Sequence, residues 1–160
     1  MTRHLSLARR VFKRLSDSEG NTLIETAIAL PLLLLVTLAV VDFGALFYVD
    51  LALENGVSQA ARYGVTGNLM TGLTREQSIM ATMRQATPTL TIADSAFAFS
   101  YLAPGSSVWA SGPAPPGDIE MVTVNYTWQI ITPLIKPFFT NGQVNFTVQS
   151  SMQTESLFQQ

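Results

Sequence analysis

Gly20-Asn21-Thr22-Leu23-Ile24-Glu25, running into the uncharged stretch Thr26–Val41, decides how this chain folds. Thr22 to Val41 is an apolar run of helical length. Wound as an α-helix it is about 30 Å long, the thickness of a bilayer's hydrocarbon core. Glu25 is the only charged residue within it, and Asp42 closes it. A charged side chain costs about 2.5–3.5 kcal/mol at a bilayer centre and less towards the interface. A simple anchor has no need of Glu25, so its presence asks for a partner.

The charge on either side of the run is uneven. Residues 1–20 carry Arg3, Arg9, Arg10, Lys13 and Arg14 against Asp17 and Glu19, a net +3. Residues 21–160 carry four basic and nine acidic residues, a net −5. A basic leader ahead of an apolar span stays on the cytoplasmic side, which puts the acidic remainder outside. Leu5, Val11, Phe12 and Leu15 alternate with the cations, so the leader can also lie on anionic lipid as a short helix. The acidic remainder shows no basic face, which argues against nucleic-acid binding.

Two other readings of the run weigh less. A secretory signal has a shorter apolar core followed by a small-x-small cleavage site, yet the Ala27-Ile28-Ala29 triplet precedes the leucines. A buried helix of a soluble protein has no reason for the flanking charge asymmetry. Pro31 removes one helical hydrogen bond and tends to kink the axis, a feature membrane helices tolerate. A plain kink and a functional one both fit it.

The helical period continues past Asp42. Leu46, Val49, Leu53, Val57, Ala60 and Gly64 recur at three- and four-residue spacing, with Asp50, Glu54, Ser58 and Arg62 on another face. One helix from about residue 21 to 63 is predicted, with stop signals at Gly64 and Gly67. Thr74 and Gln77 form a capping box for a second helix that ends before Pro88, with Ile79, Met80, Met83 and Ala86 on its core face. After Thr89 the period becomes two. Strands are predicted at Phe97–Leu102, Ile119–Ile131 and Gln143–Met152, with a Pro/Gly loop over 104–118 and a turn at Asn141-Gly142. The layout is α+β: a long N-terminal helix, half membrane-like and half amphipathic, packed with a short helix on a small antiparallel sheet.

Catalytic signatures are sparse. The chain has no cysteine, and its one histidine, His4, lies in the leader. Asp118 and Glu120 can share a strand face as paired carboxylates, though solvated acids are ordinary at a loop–strand junction. Neither a phosphate loop nor a metal-ligand spacing is visible, so no cofactor and no metal are expected. Trp128 reads as core, and Trp109 lies in the loop, where a contact role fits.

A basic leader ending in Gly20, with Glu25 fifth from Asn21 and an apolar helix behind it, resembles the processing signal of type IVb pilins and pseudopilins. The string Glu25-Thr26-Ala27-Ile28-Ala29-Leu30-Pro31-Leu32-Leu33, then Asp42-Phe43-Gly44 and Ala60-Ala61-Arg62-Tyr63-Gly64, resembles the TadE-like family; Thr26 stands where that family usually has an aromatic residue. The resemblance implies a pilin-like fold and a minor pseudopilin of a tight-adherence (Tad) pilus or related secretion apparatus. Residues 1–20 would be a leader clipped after Gly20 by a prepilin peptidase. Residues 21–42 would be the transmembrane half of the helix, and 43–160 its amphipathic half plus an extracytoplasmic domain. Implied partners are the peptidase, other pilins and pseudopilins, the inner-membrane assembly platform and membrane lipid. The alternative is an uncleaved single-span protein whose outer domain binds another envelope component.

Overall fold

The computed structural model describes residues 18–155. Most of the predicted leader, including His4, lies outside the described residues. Helix α1 spans Ser18–Val65 with Pro31 inside it, and helix α2 spans Arg75–Ala86. Strands β1 (Phe97–Leu102), β2 (Ala110–Ser111), β3 (Ile119–Gln129) and β4 (Gln143–Gln153) form one antiparallel sheet in the order β2-β1-β3-β4. The fold is α+β. Internal contacts divide the chain between Val41 and Asp42 into two units.

In the first unit α1 is a single apolar rod. Its most apolar window has a mean hydropathy of 2.4 and none of that window is buried, so α1 is long and apolar enough to cross a membrane.

The second unit has a packed core. Val49, Leu53, Val57, Ala60 and Ala61 of α1 meet Ile79 and Met83 of α2 and Val122, Val124 and Val148 of the sheet. The spacing of the α1 residues puts them on one helical stripe, as the sequence pattern requires. Two glycines let the helices approach closely. A Cβ at Gly56 would lie 2.6 Å from Thr87 Cγ2, and one at Gly64 would lie 2.8 Å from Ile79 Cδ1. Gly64 therefore serves packing inside the helix, and the turn out of it falls at Gly67, whose φ is +66°.

Helix α2 starts where its capping box predicts. The Thr74 side chain accepts from the Gln77 amide, and the Gln77 side chain accepts from the Thr74 amide. It ends at Ala86, ahead of Pro88.

The sheet's two faces differ as period two demands. Phe97, Phe99, Val122, Val124, Tyr126, Trp128, Phe146 and Val148 join the core or pack against it. On the opposite face Thr127 donates to Asn145 and Thr147 donates to Asn125, both at 2.8 Å, across the β3–β4 pair. The 104–118 loop departs from expectation because its Ala110-Ser111 pairs with β1 as a short fourth strand. Two residues in a Pro/Gly-rich segment leave no periodic signal. The strand predicted over Ile119–Ile131 likewise ends at Gln129, two residues early, because Ile130 enters the turn region around Pro133.

Candidate functional site

The sequence-predicted site residues Gly20, Asn21, Glu25 and Pro31 all lie on α1, and all four are exposed. Gly20 has nothing within 4 Å of where a Cβ would sit. Gly20 and Glu25 are five residues apart, about 7.5 Å along the axis. Around them Leu23 is 72% exposed and Ile28 69% exposed. Among the described residues nothing covers this part of the helix, and an apolar surface of that extent suits lipid or other helices. Glu25 forms no ion pair among the described residues, where the pairs are Arg75–Glu120 and Arg84–Asp94. It is a carboxylate on an apolar surface, with no cation beside it among the described residues.

Asp42 does more than close the run. It is buried to 3% exposure, and neither of its carboxylate oxygens has a hydrogen-bond partner among the described residues. A charge position at the edge of an apolar segment reads as solvated, and the sequence offers no sign of this burial. The helical stripe of Asp42, Val49, Leu53 and Val57 carries it inward with the core residues.

Glu120 is also internal. Arg75 Nη2 donates to Glu120 Oε2 at 2.8 Å, and Arg75 Nη1 donates to the Ala114 carbonyl at 2.8 Å. The Ala114 amide donates to Glu120 Oε1 at 3.5 Å, while Arg75 Nε is buried and unpartnered. This cluster joins the first turn of α2, the Pro/Gly loop and β3. The expectation of solvated junction acids is thereby corrected: Glu120 is 2% exposed, and Asp118 is buried as well. Its partner, Arg75, is 45 residues away in sequence, beyond any local pattern. Asp118 uses its backbone instead, accepting from the Thr154 amide at 2.8 Å and the Thr154 hydroxyl at 2.9 Å. The Glu120 carboxylate and the Asp118 backbone therefore both belong to the framework. Trp128 packs against the core and Trp109 is exposed in its loop. Among the described residues no three His, Asp or Glu side chains gather to hold a metal ion.

The chain thus joins an α+β domain to an apolar helix that is exposed among the described residues and is long enough to cross a membrane. Residues 20–62 match the family described as TadE-like protein. The match covers the exposed helix with Glu25 and runs to Arg62, ahead of α2 and the sheet. Neither a curated protein nor a solved structure matches the chain.

Proposed function

We propose that this protein is a minor pseudopilin, a structural and assembly component of a Tad pilus or a related secretion apparatus, matured by a prepilin peptidase after Gly20. The observation that supports the reading is the position of Glu25, a carboxylate without an ion pair among the described residues, on an exposed apolar helix within the segment that matches the TadE-like family. The span of α1 up to residue 42 holds the subunit in the inner membrane, with the leader cytoplasmic and the rest of the chain outside.

The physical sequence is short. Removing the leader takes a net +3 from the cytoplasmic side and creates an amine at Asn21. Loss of that charge frees the helix end to leave the bilayer. As helices stack, Glu25 accepts the new amine of a neighbouring subunit. Two opposite charges removed from water together cost far less than either alone. The partners are then other pilins and pseudopilins and the assembly platform.

Intact-mass measurement of the protein from its native membrane tests the reading. A chain beginning at Asn21 is expected. A chain still beginning at Met1 overturns the processing step and favours an uncleaved anchor.

A further inference from the structure

The two edges of the sheet are protected very differently. β2 is an edge of two residues set in a Pro/Gly loop, which is one way proteins deny an edge to other strands. β4 is an edge of 11 residues, Gln143–Gln153, with no charge, proline or glycine in it.

The ladder register shows which backbone groups that edge presents. The Ile130 amide donates to the Gly142 carbonyl at one end of the β3–β4 pair, and the Thr154 amide donates to the Asp118 carbonyl at the other. The register between them is unbroken, from Gln129↔Gln143 to Ile119↔Gln153. Hydrogen-bonded pairs alternate in an antiparallel ladder. Even-numbered residues of β4 therefore bond to β3. The amides and carbonyls of Asn145, Thr147, Gln149 and Ser151 point outward, and among the described residues nothing bonds to them.

A groove of about 370 Å³ runs beside this edge. It is lined on one side by Asp50 and Glu54 of α1 and on the other by Thr147 to Ser150 of β4. Successive strand residues face opposite sides of a sheet. A groove lined by four in a row must therefore open along the strand's edge. Asp50 and Glu54 sit one turn apart, and among the described residues neither pairs with a basic side chain.

We infer that the β4 edge is a strand-addition site for an extended segment of another protein bearing a lysine or arginine, whose cation lies over Asp50 and Glu54. Backbone bonds to the four outward residues supply affinity, and the carboxylates select the charge. A second copy is a poor occupant. None of the four strands of this chain contains Lys or Arg, and pairing two β4 edges would bring two acidic grooves together. The site stands independently of how the N-terminus is processed.

Amide hydrogen exchange by NMR on the full chain in detergent micelles tests this. The probes are blocked alternating Thr/Val peptides with one central Lys, or with Glu in its place. The Lys peptide should slow exchange at Asn145, Thr147, Gln149 and Ser151 while leaving the even-numbered neighbours, already bonded to β3, unchanged. The Glu peptide should bind about tenfold more weakly or worse, and Asp50→Asn with Glu54→Gln should abolish that difference without altering the fold. No slowing with either peptide, or equal slowing with both, overturns the inference. Protection of the odd-numbered amides that grows with protein concentration in the absence of peptide overturns it in favour of a second copy.

Discussion

Arg75 and Glu120 meet at 2.8 Å, and through them the first turn of α2 is tied to β3. Glu120 is 2% exposed. Removing one partner of such a pair leaves the other charge buried, which typically costs about 3–5 kcal/mol. Arg75→Met is expected to approach that loss in urea denaturation of the detergent-solubilised chain. Arg75→Met combined with Glu120→Leu should recover most of it. A double variant as unstable as the single one would mean that the loop contact through Ala114 matters more than the charges.

Gly64 lies against the same cluster. A Cβ there would sit 2.8 Å from Ile79 Cδ1 and 3.1 Å from Glu120 Oε2. Gly64→Ala should destabilise by about 1–3 kcal/mol through overpacking. Ile79→Val removes the nearest methyl, so the double variant should lose less than the sum of the singles. Gly44 is the control: nothing lies within 4 Å of its Cβ position, and Gly44→Ala should stabilise by up to about 1 kcal/mol through helix propensity.

Asp42 is a buried carboxylate without a hydrogen-bond partner. Asp42→Asn removes the charge at constant shape and should raise stability by about 1–3 kcal/mol, read as a higher denaturation midpoint at an unchanged slope. A lower midpoint would mean that the carboxylate has a favourable partner after all.

On the proposed processing after Gly20, that position has to stay small. Gly20→Trp should leave the full-length chain uncleaved while its membrane content is unchanged, because α1 remains apolar beyond Glu25. A mature-length product in that variant would remove Gly20 from the processing site.

Glu25 is expected to serve assembly and not insertion. Glu25→Ala removes the only charge in the run and should insert at least as well as the parent. Pilus yield in a strain carrying only this variant should fall well below the parent's. Wild-type piliation would rule out the pairing with a neighbour's amine.

Much of the fold was legible because its signals are local. The α1 stripe from Val49 to Gly64 follows from three- and four-residue spacing, and the Thr74–Gln77 capping box needs only its own turn. The alternation through β3 and β4 marks their core faces in the same way. The strand at Ala110-Ser111 escaped notice because two residues cannot display a period and owe their pairing to β1. Glu120 was misjudged for a related reason. Whether a carboxylate is solvated depends on what chain lies over it, and that chain is remote in sequence.

By itself the sequence determined the two helices and the three longer strands, the apolar run, the charge asymmetry across it and the place of Glu25 five residues after Gly20. These depend on composition and spacing along one backbone. Only the tertiary structure decided that Glu120 is paired with Arg75, that Asp42 is buried without a partner, and that β4 is an edge whose outward amides lie beside Asp50 and Glu54. Pairing, burial and edge status are relations between distant segments, set by which surfaces meet when the sheet and helices pack, and periodicity along a single segment carries no record of them.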